Sequence, residues 1–502
     1  MGGGLVLLAI LSRAPSFVMS VIDWDESLYV LMAEQWRAGH LPYTAVWDNK
    51  PIGIYAIFAL FQSVFGDRIF AIRIAALVAV AGAALVVWLI ARHLLRFHPP
   101  RVAELCAGAA GALYILVTIG IDGIAANTEL FMEGFTCLGM LWALEPAGRL
   151  APGRTIGIGL LLGIAFMIKY VAVFDMVAVF AVMTLLPGRI AQGWAGVRDV
   201  IRQGCLFSLG ALVPFLAAAG LYAAYGLFPV FLDASLLSNL RRVAVPVSGS
   251  GFFDAYTAQA ALCPLLYAGL AWLLWSVLRP SPLVMERRLL LFWVGASMLG
   301  VAAGGLYFDH YFVQLLPPLG IAAALLLARI GTLALRPARA ALLLLAAASL
   351  IPTGEAIAPV LGRMIAVAER PAVGFGLLRD TPADVAADLK PVLARHPGQT
   401  IYVFDGEPVL YALLHARLPT RYVFPSFLQS RLLSHMIGID PLAELARIMA
   451  RRPLFVVVRT NPDDRSAATR NLDVYRQMRA DLAAGYRVWK RYDTMVVWRR
   501  NS

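Results

Sequence analysis

The sequence predicts a polytopic α-helical membrane protein that ends in a small α/β domain. Of its 502 residues, 60% are hydrophobic and only 15% are charged, whereas soluble domains carry about 25% charged residues. The mean hydropathy is +0.73, which leaves too little polar surface to cover a soluble fold of this length. Apolar runs long enough to cross a bilayer recur as far as about residue 358 and then stop.

The apolar runs predict about eleven membrane spans. The spans are expected at residues 4–22, 69–91, 104–121, 129–146, 156–169, 174–187, 204–225, 258–278, 289–306, 317–333 and 341–358. The loops that follow the even-numbered spans hold 13 Lys and Arg residues, and the longer loops on the opposite side hold 5. Because short cytoplasmic loops accumulate Lys and Arg, we expect a cytoplasmic N-terminus and a C-terminal segment outside the bacterial inner membrane.

The external loop 23–68 and the segment 359–502 are expected to carry secondary structure of their own. In the loop, apolar residues recur at helical spacing over 25–37 and 52–65, which predicts two helices lying in the membrane interface. The exported segment 359–502 predicts a periplasmic α/β domain with strands at 400–404 and 454–459, helices at 407–415 and 466–484, and two short final strands. The domains are therefore expected at 1–358 and 359–502.

The densest acidic cluster near the membrane is Asp23-Trp24-Asp25-Glu26, directly after the first span. Neighbouring carboxylates can bind a cation, or one can act as a general base while the other organises the site. Helix N-capping and the helix dipole would explain the same residues without any chemistry.

The lysines are the second signal, because the chain has only four among 43 basic residues. Lys50 lies in the same external loop as the acidic cluster, and Lys169 lies where the fifth and sixth spans meet on the same side. A lysine ammonium is a good ligand for phosphate. The alternatives are a solvated loop residue for Lys50 and an interfacial, snorkelling side chain for Lys169.

Three further groups of polar residues are candidates at the external face. Asn127 and Glu129 begin the fourth span, where a capping box would explain part of the pattern. His310 lies between Asp309 and Tyr311 in a short aromatic turn, which is also typical of a membrane-interface belt. Arg241 and Arg242 lie in a long loop of the kind that forms lids, and they could hold a phosphate or remain solvated.

Motifs of several soluble enzyme classes are missing from the sequence. We find no Gly-rich phosphate loop, no H-E-x-x-H motif and no Cys/His metal spacing, and the four cysteines all fall in predicted spans. We therefore expect no required cofactor; a divalent metal is compatible with the acids but no motif supports one. Nucleic acid is not an expected partner, because the basic segment 359–502 lies outside the cell.

In order and spacing, these residues resemble the C-type-fold (GT-C) glycosyltransferases that use polyprenyl-phosphate-linked sugars. The similarity is greatest to the bacterial branch that includes the lipid A aminoarabinose transferase and the protein O-mannosyltransferases. It covers about residues 1–358 and is carried by Asp25-Glu26-x-x-Tyr29, Asp48-Asn49-Lys50-Pro51, Lys169, and Asp309-His310-Tyr311 followed by Pro317-Pro318. The chain departs from many relatives at Asn49, where they have an acid, and at Ile52, where they have a second proline.

The resemblance implies an inverting transfer of sugar from a lipid such as undecaprenyl phosphate to a hydroxyl of an envelope glycolipid, polysaccharide or protein. Asp25 would be the catalytic carboxylate with Glu26 beside it, and Lys50 would bind the donor phosphate, assisted by Lys169 and by Arg241 and Arg242. The expected substrate-binding residues are Tyr29, Asn49, Asn127, Glu129, Asp309, His310 and Tyr311.

Two other functions remain open from the sequence. An ion-coupled transporter or flippase of a lipid-linked or small anionic substrate would use the same ionisable residues as a path, although the acids cluster near one face rather than at the midplane. A non-enzymatic assembly or sensor protein would use the exported domain as its binding module.

Overall fold

The protein is helical over most of its length and divides into two compact units. The computed structural model describes residues 1–66, 69–144, 151–186, 193–243, 250–332, 336–368, 380–460 and 470–501. The first unit comprises residues 1–14, 74–221 and 247–360, and the second comprises 15–73, 222–246 and 361–502. The loop that follows the first helix therefore shares its contacts with the C-terminal segment. The predicted boundary at residue 358 stays a prediction.

Most of the helices before the C-terminal sheet follow the apolar runs of the sequence. In chain order they are α1 Gly2–Arg13, α2 Trp24–Arg37, α3 Gly53–Phe65, α4 Ile69–Leu94, α5 Pro100–Gly120, α6 Thr128–Leu144, α7 Pro152–Ile168, α8 Ala172–Leu185, α9 Trp194–Ala224, α10 Phe228–Leu232, α11 Ser238–Val243, α12 Ser250–Leu262, α13 Pro264–Ser276, α14 Val284–Ala303, α15 Leu316–Gly331 and α16 Arg336–Ala368. Helices α2 and α3 occupy the two stretches of the external loop for which helices were predicted. Helices α10, α11 and the start of α12 lie in the stretch 226–257, which the sequence predicted to be a loop.

Within the described residues, five helical stretches are long and apolar enough to cross a membrane, which makes this a multi-pass membrane protein. They are Ile69–Leu94, Pro100–Gly120, Trp194–Ala224, Asp309–Gly331 and Pro337–Ala358. The stretches Gly251–Leu262 and Pro264–Ser276 form a sixth if they count as one span bent by 109°. The remaining apolar helices are shorter, so the number of spans stays a prediction.

Close helix packing in the first unit fixes the end of α7, where Lys169 follows. A Cβ atom added to Gly159 would clash with the carbonyl oxygen of Phe207 in α9, and one added to Gly163 would clash with that of Ala211. Small residues at such positions let the backbones of two membrane helices approach each other. Substitution of either glycine would therefore require α7 to move away from α9.

The C-terminal part of the second unit is a four-stranded sheet with helices. Its elements are α17 Thr381–Ala394, β1 Ile401–Asp405, α18 Val409–Leu414, α19 Ser426–Gln429, α20 Arg431–Ile437, α21 Pro441–Ala450, β2 Phe455–Arg459, α22 Leu472–Gly485, β3 Tyr486–Arg491 and β4 Met495–Arg500. The strand order is β1-β2-β4-β3, with β1 parallel to β2 and the other two pairs antiparallel. All five residues of β1 are buried, although β1 is at the edge of the sheet. The predicted strands and the two predicted helices occur in the expected order, and the sequence interpretation missed α17, α19, α20 and α21.

Candidate active site

Asp25 and Lys50 form an ion pair in the second unit. Asp23 is the N-cap of α2 and accepts a hydrogen bond from the Asp25 backbone N–H at 3.2 Å, which places Asp25 in the first helical turn. The Lys50 Nζ atom lies 3.0 Å from Asp25 Oδ2 and 3.7 Å from Asp48 Oδ1. The side chains of Asp25 and Lys50 are each 23% exposed, so neither is fully enclosed by the protein.

Three buried tyrosines hold the turn that presents Lys50. The hydroxyl of Tyr43 donates to the Lys50 carbonyl oxygen at 2.7 Å, and that of Tyr55 donates to Asp48 Oδ2 at 2.8 Å. Tyr29 donates to Asp25 Oδ2 at 3.2 Å, and the Lys50 ammonium lies 5.2 Å from the Tyr29 ring centroid. The positions of the carboxylate and the ammonium are therefore set by side chains that pack in the core of the unit.

Asp48 is a charged residue of this site to which the sequence interpretation gave no role. Its side chain is 1% exposed, and burial raises the pKa of its carboxyl, an effect opposed by the nearby Lys50. Its backbone neighbour Asn49 donates an N–H hydrogen bond to Asp48 Oδ1 at 2.7 Å. Its position two residues before the lysine was visible in the sequence, but its contact with Tyr55 was not.

Glu26 is buried next to Asp25 and is engaged by Arg73. The Arg73 guanidinium donates to Glu26 Oε2 at 2.6 Å and to Oε1 at 2.8 Å, and both side chains are 1% exposed. Glu26 Oε1 also accepts the Ile22 backbone N–H at 2.5 Å. These contacts place Glu26 as a support for the start of α2. Arg73 has no role in the sequence interpretation, although a lone arginine inside an apolar run signals a buried partner.

Asn49 and Arg241 are also in the second unit. Their side chains make hydrogen bonds with residues that are far from Lys50 in the sequence. Asn49 Nδ2 donates to Asn239 Oδ1 at 2.9 Å, and Asn239 Nδ2 donates to the Asn49 carbonyl oxygen at 2.7 Å. Arg241 donates to Asp233 Oδ1 at 2.9 Å and to the Met436 carbonyl oxygen at 2.7 Å. The Arg242 side chain lies outside the described part of the chain.

The other predicted residues meet in the first unit, around Glu129. Its carboxylate is 1% exposed and is bonded to the Lys169 ammonium, and His310 Nε2 lies 4.0 Å from Glu129 Oε1. The Lys169 ammonium also lies 4.0 Å from the Tyr311 ring centroid. Lys169 follows directly after α7, and Glu129 lies in the first turn of α6. The structure thus forms a second lysine–carboxylate pair, Lys169 with Glu129, and brings His310 from a third segment of the chain next to it.

Asn127 and Asp309 flank this second group. Asn127 is 2% exposed, and its carbonyl oxygen accepts the Leu130 backbone N–H at 3.2 Å. Asp309 Oδ1 accepts a hydrogen bond from Gln259 Nε2 at 3.0 Å. The binding roles of both residues stay predictions.

The described residues contain no group of three His, Cys, Asp or Glu side chains arranged to hold a metal ion. At the two lysine–carboxylate pairs, the ammonium groups already occupy the position next to each carboxylate. That the protein requires no cofactor stays a prediction from the sequence.

Residues 49–218 match the family model of the dolichyl-phosphate-mannose-protein mannosyltransferases. This range includes Asn49, Lys50, Asn127, Glu129 and Lys169. None of the curated proteins with which the sequence was compared matches it.

The fold is similar to that of solved membrane glycosyltransferases. The crystal structure of ArnT from Cupriavidus metallidurans bound to undecaprenyl phosphate has a TM-score of 0.59 and 15% sequence identity, over 98% of this chain and 97% of that chain. The apo structure of ArnT from Cupriavidus metallidurans has a TM-score of 0.56 and 15% identity, over 99% and 97%. The Archaeoglobus fulgidus oligosaccharyltransferase in the apo form has a TM-score of 0.50 and 11% identity, over 91% and 69%. The predicted fold class and the resemblance stated from the sequence are confirmed.

Proposed function

We propose that the protein is a membrane glycosyltransferase that moves a sugar from a polyprenyl-phosphate donor to a hydroxyl group of an envelope acceptor. The observation that carries the proposal is the 3.0 Å contact between Lys50 Nζ and Asp25 Oδ2. It places one carboxylate and one ammonium in a partly open site, and glycosyl transfer from a phosphate needs both charges. The family match at residues 49–218 and the shared fold support the same reaction class.

The reaction assigns opposite tasks to the two groups. The acceptor oxygen forms a bond to the anomeric carbon and gives its proton to the Asp25 carboxylate, which acts as general base. The bond between the anomeric carbon and the phosphate oxygen breaks, and its electron pair leaves with the lipid phosphate. The Lys50 ammonium stabilises that negative charge. A single displacement of this kind inverts the anomeric centre.

The ion pair also explains how the site is kept ready before the donor binds. Lys50 lies between the carboxylates of Asp25 and Asp48, so it is held at the position that the phosphate will approach. When a phosphate binds Lys50, its negative charge offsets that of the ammonium, so the Asp25 carboxylate is less stabilised and becomes a stronger base. Asp48 remains bonded to Tyr55 and keeps the lysine in place.

Glu26 acts in this scheme as a positioning residue for Asp25, because both of its oxygens are engaged by Arg73. Lys169 keeps the donor-phosphate role predicted from the sequence, and Glu129 and His310 keep their predicted role in substrate binding. The donor-phosphate role predicted for Arg241 and Arg242 is also kept, although the Arg241 guanidinium already has protein partners.

Because Lys50 and Asp25 supply both charges, we expect chelation of divalent cations to leave transfer unchanged.

The donor and the location follow from the same proposal. ArnT from Cupriavidus metallidurans was crystallised with undecaprenyl phosphate, which supports a bacterial polyprenyl phosphate as the carrier here. The distribution of Lys and Arg supports an inner-membrane protein with its N-terminus in the cytoplasm and residues 359–502 outside. The acceptor would then be a glycolipid, polysaccharide or protein of the envelope. The comparisons do not favour the transporter alternative.

Asp25→Asn tests the proposal in cells. Cells with the wild-type protein, with Asp25→Asn and without an active copy would be compared by mass spectrometry of their envelope lipids and glycans. We expect one glycosylated species to depend on the wild-type protein and to be absent with Asp25→Asn. Asp23→Asn is the matched control, because asparagine caps a helix as well as aspartate does; this variant should keep the product.

Membrane content of each variant would be measured by immunoblotting, so that loss of product is separated from loss of protein. An Asp25→Asn protein that still makes the product would exclude Asp25 as the base. If uptake of a substrate into proteoliposomes is found without any covalent product, the transferase proposal is wrong.

A further inference from the structure

One end of the C-terminal sheet bears a pocket that the transfer reaction does not use. The pocket has a volume of about 480 Å³ and lies where β1, β2 and β3 begin and β4 ends. The polar residues that line it are His396, Gln399, Arg487, Arg499, Arg500 and Asn501. Every element that contributes to it belongs to the second unit.

The charge of this pocket is uniformly positive. Among the described residues that line it there are three arginines and no carboxylate. The guanidinium groups of Arg487 and Arg499 make no hydrogen bond or ion pair with any residue in the described part of the chain. The Arg500 guanidinium donates to Gln399 Oε1 at 3.4 Å and to the Arg452 carbonyl oxygen. Two arginines with unused donors therefore face the same space.

The strand register forces the two arginines together. Arg487 of β3 is the direct cross-strand partner of Arg499 of β4. Like charges at directly opposite positions of an antiparallel pair destabilise a sheet. The nearby Asp481 is close enough to influence Tyr486, but it does not line the pocket. An anion bound between the arginines would remove the repulsion, and the planar guanidinium matches phosphate oxygens in pairs.

The pocket is separate from the site around Asp25. The opposite end of the sheet carries Asp405 and Arg459, and the Arg459 guanidinium lies 4.8 Å from the ring centroid of Trp24, the residue before Asp25. A five-residue strand is roughly 15 Å long. A ligand in the pocket therefore occupies a different region from the sugar that is transferred.

We propose that this arginine pocket is a phosphate-binding site that holds a phosphorylated molecule through Arg487 and Arg499, with Arg500 beside them. A phospholipid headgroup and a phosphorylated glycan share this chemistry. The proposal goes beyond the transferase function and does not depend on it, because binding at the pocket requires neither a sugar donor nor Asp25.

The test measures phosphate binding to the full-length protein in a neutral detergent. Inorganic phosphate would be titrated by isothermal calorimetry at constant ionic strength into the wild-type protein and into the double variant Arg487→Gln, Arg499→Gln. The matched control is Arg476→Gln, Arg479→Gln, which removes two exposed charges from α22 in the same segment. We expect a Kd for phosphate at least roughly tenfold weaker in the pocket variant, since one charge-assisted hydrogen bond is worth about that factor. The control should bind as the wild type does.

A second measurement separates a binding role from a structural one. Arg487 is exposed, so Arg487→Gln alone should fold normally, and its melting temperature without phosphate should equal or exceed that of the wild type because the cross-strand repulsion is gone. A variant that gains stability while it loses phosphate affinity supports the proposal. A clear fall in melting temperature together with unchanged affinity contradicts it.

Two water-soluble probes identify the source of the phosphate. Glucose 6-phosphate represents a phosphorylated glycan, and dihexanoyl phosphatidylglycerol represents a lipid headgroup. Tighter binding of either probe than of inorganic phosphate, lost in the pocket variant, supports the site and assigns its ligand. Absence of phosphate binding to the wild-type protein, or equal weakening in the control variant, overturns the proposal. The Asp25→Asn protein should bind phosphate at the pocket normally, so failure of the transferase proposal would leave this result unaffected.

Discussion

Glu26 and Arg73, which lie 47 positions apart in the chain, form a buried ion pair with two hydrogen bonds of 2.6 and 2.8 Å. Arg73 also donates to the Met19 carbonyl oxygen at 3.3 Å. The pair therefore joins the residues before α2 to α4 and fixes the helix that presents Asp25. A buried carboxylate without its cation would be an uncompensated charge in the protein interior, which destabilises the folded state.

Removal of one partner of this pair should destabilise the protein strongly. We expect Glu26→Leu to lower the free energy of unfolding by about 3–5 kcal/mol, because Arg73 is left as a buried charge without its partner. The double variant Glu26→Leu, Arg73→Met should recover most of that loss, since a buried ion pair can be replaced by packed apolar groups. Thermal unfolding in detergent is the measurement. A double variant that is as unstable as Glu26→Leu would contradict this account.

Lys50 should determine affinity for the lipid phosphate. We expect Lys50→Ala to weaken binding of a polyprenyl phosphate by roughly tenfold or more, because a charge-assisted contact to the phosphate is lost. The readout is the rise in melting temperature that polyprenyl phosphate gives to the purified protein. Lys390→Ala, at an exposed position of α17, is the control and should keep the full rise. An equal rise in the Lys50→Ala protein would remove Lys50 from phosphate binding.

Glu34 in α2 should make stability depend on pH. Burial raises the pKa of its carboxyl to about 7, an effect that Arg37 opposes. Between pH 4.5 and about 7, the folded state holds a proton that the unfolded state has lost. The contribution of Glu34 to the free energy of unfolding is therefore complete below pH 4.5 and is lost as the pH rises to about 7. A shift of this size corresponds to roughly 3 kcal/mol.

The prediction is checked by thermal unfolding between pH 4.5 and pH 8. The wild-type protein should lose stability across this range relative to Glu34→Gln, whose amide does not titrate. Parallel pH profiles for the two proteins would show that Glu34 does not hold a proton in the folded state.

Asp380 should anchor the C-terminal segment to the chain that leads into α2. Its carboxylate accepts the Ser20 backbone N–H at 2.6 Å and the Ser20 hydroxyl at 2.7 Å, and it caps α17 through the Ala383 N–H at 3.2 Å. We expect Asp380→Ala to cost at least about 2 kcal/mol, the sum of a lost helix cap and a lost charged hydrogen bond.

Hydrogen exchange measured by mass spectrometry would locate the effect. Asp380→Ala should raise exchange both at the start of α17 and at Ser20–Ile22. Asp384→Ala, in the first turn of the same helix, removes an acid without removing the cap and should leave Ser20–Ile22 protected. Increased exchange confined to α17 would show that the contact with Ser20 carries no stability.

Local sequence was sufficient for the parts of this fold that depend on neighbours along the chain. Apolar runs and 3.6-residue spacing gave the membrane helices and α2, and the buried strand β1 was visible as a continuous apolar run. The contact between Asp25 and Lys50 was within reach of the sequence, because both lie in one external loop and a membrane restricts where that loop can go. Arg73 was hidden, since it stands in a stretch whose hydropathy predicts only a span.

The sequence by itself determined that the chain is a membrane protein, where most of its apolar helices lie, and which few acids and lysines are candidates for chemistry. The tertiary structure decided how these groups are shared among partners. Only the tertiary structure showed that Glu26 pairs with Arg73, that Lys169 pairs with Glu129 and that Arg487 lies opposite Arg499. The physical reason is that hydrophobicity and helix periodicity are properties of short segments, whereas an ion pair or a strand register depends on distances between segments that are far apart in the chain.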